Sequence, residues 1–162
     1  MILNFFDGIT LDIILRLFVA LLLGMIIGTE RVWAHKTAGM RTYAFVSMGS
    51  ALFMIISEII IAQYAGVGNF DPTRMASQIV VGIGFLGAGS IMLQGSQLKG
   101  LTTASGLWVV AGIGMACGLG LFSLSIIATI FTLFIFVVLW FIEKRIKKSK
   151  YYTEDVIENL DK

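Results

Sequence analysis

The 162-residue chain holds one cysteine, one proline and one histidine. A single Cys117 excludes an intrachain disulfide and any metal site built on cysteine spacing. The lone His35 makes no metal cluster and is expected in a solvated loop. With Pro72 as the only proline, no long apolar segment is kinked by that residue. Charge is sparse too, at 14% of residues, where soluble domains carry about a quarter. A formal net charge of +2 is too small to suggest a nucleic-acid partner. No nucleophile–base pair or carboxylate dyad stands on one evident face. No enzyme, catalytic residue or cofactor is therefore expected, and the sequence does not say whether a metal is bound.

What the chain has in quantity is apolar surface: 57% hydrophobic residues and a mean hydropathy of +0.91. A water-soluble protein this small could not bury so much of it, so lipid is the expected solvent. A bilayer core about 30 Å thick takes about 20 helical residues. Five segments qualify: Ile9–Gly28, Tyr43–Tyr64, Met75–Gln94, Leu101–Leu119 and Leu121–Ile142. The expected fold is an all-α membrane protein, a five-helix transmembrane bundle with glycine-rich central helices. Residues 1–142 form the membrane domain, and 143–162 a short cytoplasmic tail, basic and then acidic. The first apolar run has no basic residue before it, so it is expected to stay in the mature protein rather than act as a signal peptide.

Loop charge sets the expected orientation. Arg31, Lys36, Arg41, Lys99 and six basic tail residues fall on one side, with only Arg74 opposite. The N-terminus is then outside and the C-terminus cytoplasmic. Tyr43 and Trp140 are expected in the inner aromatic belt and Tyr64 in the outer one.

The segment GIGFLGAG (82–89) spells the dinucleotide fingerprint G-x-G-x-x-G. That pattern has meaning only between a strand and a helix, and here it lies inside a predicted span. Its glycines are expected to flatten a helix for close packing. Ser77, Gly84, Ala88 and Gly95 fall on one stripe, Gln78, Gly82 and Gly89 on a second, and Gly87 lies in the same segment. Gly24 and Gly28 repeat the device in the first span, and Ala104, Ala111, Gly114 and Gly118 in the fourth. Spans one, three and four are thus expected to form the centre, with the glycine-free fifth facing lipid.

Charges inside spans usually mark a function or an internal pair. Asp12 and Arg16 stand at i and i+4, where they can pair, or Arg16 can reach backbone carbonyls or another carboxylate. Glu58 can snorkel outward or line a cation path. Asp71 is expected to cap the third helix, with Pro72 in its first position. Thr102 and Thr103 are expected to cap the fourth. The tail segment EKRIKKSKYY suits anionic lipid.

Five segments in order, GMIIGTER (24–31), AGMRT (38–42), DPTRMASQ (71–78), GIGFLGAG (82–89) and GLTTASGLW (100–108), resemble the MgtC/SapB family of bacterial membrane proteins. The resemblance implies a five-span inner-membrane domain linked to survival in low magnesium and to virulence. It singles out Arg16, Glu30, Arg31, Arg41, Asp71, Arg74, Gln78, Thr102, Thr103 and Cys117. Many members carry a soluble ACT-like domain after the fifth span, and a short form without it is expected here. The residues and the resemblance together leave two readings of function. One is regulation of other membrane proteins, such as the F-type ATP synthase or small single-span peptides, through helix–helix contacts. The other is a small oligomeric transporter or channel for Mg²⁺ or another cation, using Asp12, Glu30, Glu58 and Asp71. A homo-oligomer, with a dimer favoured, fits either reading.

Overall fold

The computed structural model describes residues 8–64, 71 and 73–148. Helix α1 runs Gly8–Trp33, α2 Met40–Gln63, α3 Thr73–Gly89 and α4 Leu101–Gly118. The last helix starts as α5 (Phe122–Phe134), widens into a π-helical turn at Ile135–Leu139 and continues as α6 (Trp140–Lys147). Four helices, α1, α2, α4 and the continuous Phe122–Lys147, are long and apolar enough to cross a membrane. At 17 residues, α3 is about 26 Å long, slightly short of the hydrocarbon thickness.

The third predicted span, Met75–Gln94, is corrected at its end. The helix stops at Gly89, and a two-stranded hairpin follows, β1 (Met92–Gln94) paired antiparallel with β2 (Gln97–Lys99). Its two-residue turn begins at Gly95, which takes φ +65° and so stands outside the helical stripe assigned to it. Polar residues cluster here, as QGSQLKG, and the Gly-Ser pair between two short runs is itself a hairpin signal. Gly100 then starts α4 at φ +96°, its α-carbon against the Ser90 carbonyl, where a side chain would collide.

The packed centre is α1, α2 and α4, with α3 and α5 laid against α4. This corrects the expected centre of spans one, three and four. Small residues explain it. Gly24 lies against the Tyr43 carbonyl and Ser47 Cβ, and Gly28 against the Met40 backbone. Gly114 abuts the Ser47 backbone, and Gly118 abuts Ala51. All four seat on α2, whose Ser47, Ser50 and Ala51 are buried. The fifth helix does not face lipid alone. It turns a hydroxyl stripe, Ser125, Thr129 and Thr132, inward, each donating to the carbonyl four residues earlier. Such back-bonding satisfies a hydroxyl where no water is at hand. The helix also runs through the expected 142/143 domain boundary as far as Lys147.

Candidate functional site

Charged side chains gather at both ends of the bundle, and each gathering centres on a shielded arginine. At one end, Arg16 of α1 donates from Nη1 to Glu58 Oε2 of α2 at 2.6 Å and to the Gly118 carbonyl of α4 at 2.9 Å. Its Nε lies 2.7 Å from Asp12 Oδ2 as an ion pair, off the line of its own N–H. Both readings of Arg16 hold together: it pairs with Asp12 and also reaches across the bundle. Glu58 is held by that contact.

The local chain explains why a carbonyl waits there. Helix α4 ends in a Schellman motif, with Gly120 left-handed at φ +73°. Gly120 N–H donates to Cys117 O, Leu121 N–H to Ala116 O, and Leu119 N–H to Met115 O. Gly118 O is left over, and Arg16 takes it. A cation at a helix C-terminus also meets the negative end of the dipole. The last turn of α4 is thereby satisfied within the protein, as a membrane segment requires.

At the other end, Arg31 is 2% exposed near the end of α1. Its Nε pairs with the Glu30 carboxylate. Its guanidinium carbon lies 3.5 Å from the centroid of the Phe136 ring, a cation–π contact. Phe136 belongs to the π-helical turn, an irregularity common at functional sites. Beside it, Tyr43 is fully buried and donates its hydroxyl to the Thr103 carbonyl at 3.3 Å. Both rings close over Gly106, where a Cβ would stand 2.5 Å from Tyr43 Oη and 2.6 Å from Phe136 Cζ. Tyr43 is therefore a core residue and not part of the aromatic belt, whereas Trp140 and Tyr64 are about half exposed.

Thr102 and Thr103 do not cap α4. The cap position is Gly100, without a side-chain hydrogen bond, and Thr103 is buried while Thr102 is exposed. Asp71 does act at the start of α3: Oδ1 accepts from Thr73 N–H at 2.9 Å and from Thr73 Oγ1 at 2.7 Å. Those bonds, the hydroxyl's first, hold its carboxyl below the usual range. Pro72 lies outside the described residues, as does the tail from residue 149. Arg41, Arg74 and Gln78 are exposed, and Cys117 is fully buried beside Ala20 and Ala51. His35 is exposed in the α1–α2 turn with φ +54°.

The α3 glycines are divided. Gly87 meets Ala104 of α4 at an ordinary 3.7 Å, but Gly82, Gly84 and Gly89 have nothing within 4 Å of where a Cβ would stand. Phe85 on the same helix is 82% exposed. Between α2 and α3 runs a groove of about 450 Å³, lined by Gly49, Phe53, Gln78 and Gly82 among others. Among the described residues, no group of three or more His, Cys, Asp and Glu is placed to hold one metal ion.

Nothing in the sequence joins Arg31 to Phe136, or Tyr43 and Phe136 to Gly106. Nothing local marks Phe136 in an apolar run. The TASG beginning α4 was the one available hint that something large sits on Gly106.

Comparison with known proteins agrees with this architecture. The MgtC family profile matches residues 17–145. A protein of Escherichia coli K12 named "Putative magnesium transporter YhiD" is 38% identical over 152 residues, covering 93% of this chain and 71% of that protein. "Protein MgtC" of Salmonella typhimurium is 48% identical over 120 residues, 74% of this chain and 49% of its own length. "Protein MgtC" of Brucella abortus is 46% identical over 112 residues, 69% of this chain and 44% of its own. The match thus spans about half the length of the proteins named MgtC. No solved structure matches at a significant level. With an arginine-centred cluster at each end of a glycine-packed bundle, and a profile match over most of its length, the chain belongs to the MgtC family.

Proposed function

We propose that the chain sits in a bacterial inner membrane, N-terminus outside, and regulates other membrane proteins through helix–helix contacts made by α3. The observation that carries this reading is the open glycines of that helix, Gly82 and Gly89 on one face and Gly84 on another. Among the described residues, Gly82, Gly84 and Gly89 have nothing within 4 Å of where a Cβ would stand, while Gly24 and Gly28 of α1 and Gly114 and Gly118 of α4 are filled by α2. Small residues on a membrane helix let a partner's backbone come close, and the face holding Gly82 and Gly89, beside the groove that Gly82 lines, suits an incoming helix. The intramembrane carboxylates Asp12 and Glu58 are engaged by Arg16, which serves the bundle more directly than an ion path. A second copy, the F-type ATP synthase or a small single-span peptide would fit the face. A role in adaptation to low magnesium or in virulence would follow from that regulation.

Cation transport is the second reading, supported by the printed name of the Escherichia coli relative. Mg²⁺ keeps several waters and favours carboxylates, so a path would run between protomers past Glu58 and Asp71.

Mg²⁺ flux into proteoliposomes, with crosslinking of Gly84→Leu in membranes, tests both. Absent flux together with lost association in the variant supports regulation. Saturable flux that disappears in Asp71→Asn would overturn it in favour of transport.

A further inference from the structure

Outside the Arg31 cluster, a cavity of about 730 Å³ opens between the α1–α2 turn and the last helix. Its polar walls carry Arg31, Lys36, Lys144, Lys147 and Lys148, five cations against the single carboxylate Glu143. Lys147 Nζ holds Glu143 at 2.5 Å. The lower wall is apolar: Ile135, Leu139 and Trp140. These residues follow one another up a single helix, and Lys144 Nζ stands 4.9 Å from the Trp140 ring centroid at the change from apolar to charged. Apart from Arg31, which is paired with Glu30 and covers Phe136, the last helix is therefore graded along the cavity, apolar before the indole and cationic after it.

We infer that this cavity is a binding site for an anionic phospholipid, with the headgroup phosphate among Lys36, Lys144 and Lys148 and an acyl chain along Ile135 and Leu139. The polarity gradient matches such a lipid end to end, whereas a soluble phosphate would leave the apolar wall unused. Basic pockets at the ends of membrane helices bind such headgroups. Lys36 comes from the α1–α2 turn and the other two from the last helix, so a bound lipid would bridge the two segments that enclose Arg31. On the orientation proposed above, the lipid belongs to the inner leaflet, but the test does not depend on that orientation.

The test is native mass spectrometry of the purified full chain in detergent, titrated with phosphatidylglycerol or phosphatidylcholine. The wild type is expected to bind phosphatidylglycerol more tightly. Each lysine near a phosphate contributes about fivefold, so Lys36→Gln/Lys144→Gln should weaken that lipid by about 25-fold. Lys99→Gln/Arg145→Gln removes the same charge away from the cavity and should change binding by less than about threefold. Lys144→Arg keeps the charge and should keep the affinity. Equal losses in the two double variants, or equal affinity for the two lipids, would overturn the site. Inorganic phosphate binding alone with the same lysine dependence would assign a soluble anion and overturn the lipid.

Discussion

Replacing Arg16 by methionine tests whether its cluster holds the bundle together. The substitution keeps an unbranched stem and removes three interactions: the ion pair with Asp12, the hydrogen bond to Glu58 and the hydrogen bond to Gly118 O. Breaking a fully buried ion pair costs about 3–5 kcal/mol. Here the arginine side chain is 18% exposed and its acidic partners are 46% and 51% exposed, so the stranded carboxylates are not enclosed by protein and can turn toward the interface at the end of the bundle, which reduces the cost. Gly118 O remains buried under the turn, and an orphaned acceptor costs about 1–3 kcal/mol. The expected loss is about 2–4 kcal/mol, which corresponds to a fall in Tm of about 5–15 °C for a chain of this size. Thermal unfolding in a mild detergent, followed by circular dichroism, reads it. Glu58→Gln should cost less, because Arg16 keeps Asp12 and the carbonyl. The Arg16→Met/Glu58→Gln double variant should be less destabilised than the two single effects added together. A Tm for Arg16→Met within about 2 °C of wild type would show that the cluster does not bind the helices. Asp12 and Glu58 would then be available for another task, and the transport reading would gain.

Three further outcomes are expected. Gly106→Ala pushes a methyl into Tyr43 Oη and Phe136 Cζ and should cost about 1–3 kcal/mol by overpacking; Gly84→Ala meets open space inside a helix and should stabilise by about 0.5–1 kcal/mol, both read by thermal unfolding. His35 occupies the left-handed position that closes α1 in a Schellman motif, with Lys36 N–H donating to Arg31 O and His35 N–H to Val32 O. His35→Gly relieves that backbone and should stabilise the protein by about 1 kcal/mol; a fall in Tm would refute it. Asp71 has a depressed carboxyl, so its contribution is fully present above pH 3.8 and is lost as pH falls through the lower folded value. Hydrogen exchange at the first turn of α3 should therefore be faster in Asp71→Asn than in wild type at neutral pH. That difference should vanish in strong acid.

The helices were legible because hydropathy reports the solvent directly: a run of about 20 apolar residues has few other uses. The small residues at 24, 28, 114 and 118 were legible for similar reasons of local chemistry. What could not be read was which helix those small residues face. A glycine states only that something is close, and α2, which receives all four, meets them largely with the backbone of Met40, Tyr43, Ser47 and Ala51, a contact no residue type announces. The same limit applies to Arg31. Its neighbour Glu30 is adjacent in sequence, but Phe136 is more than a hundred residues away, placed by a π-helical turn in an unbroken apolar run. The hairpin after α3 was a different failure, since hydropathy summed over a window hid the QGSQ turn inside an apolar average.

The contrast among the glycines carries the functional argument furthest. At Gly24 and Gly28 of α1 and at Gly114 and Gly118 of α4 an α2 backbone comes close, and a side chain there would collide. In α3, Gly82, Gly84 and Gly89 cost helix stability, about 1 kcal/mol each against alanine, and among the described residues nothing lies within 4 Å of where their Cβ atoms would stand. A helix of 17 residues that is already short for a bilayer carries that cost without internal compensation. Three glycines on one unfilled helix are therefore better explained by something that docks on it than by the fold of the chain alone. If every Gly→Ala change on α3 raised stability while leaving membrane association and activity untouched, that explanation would fail.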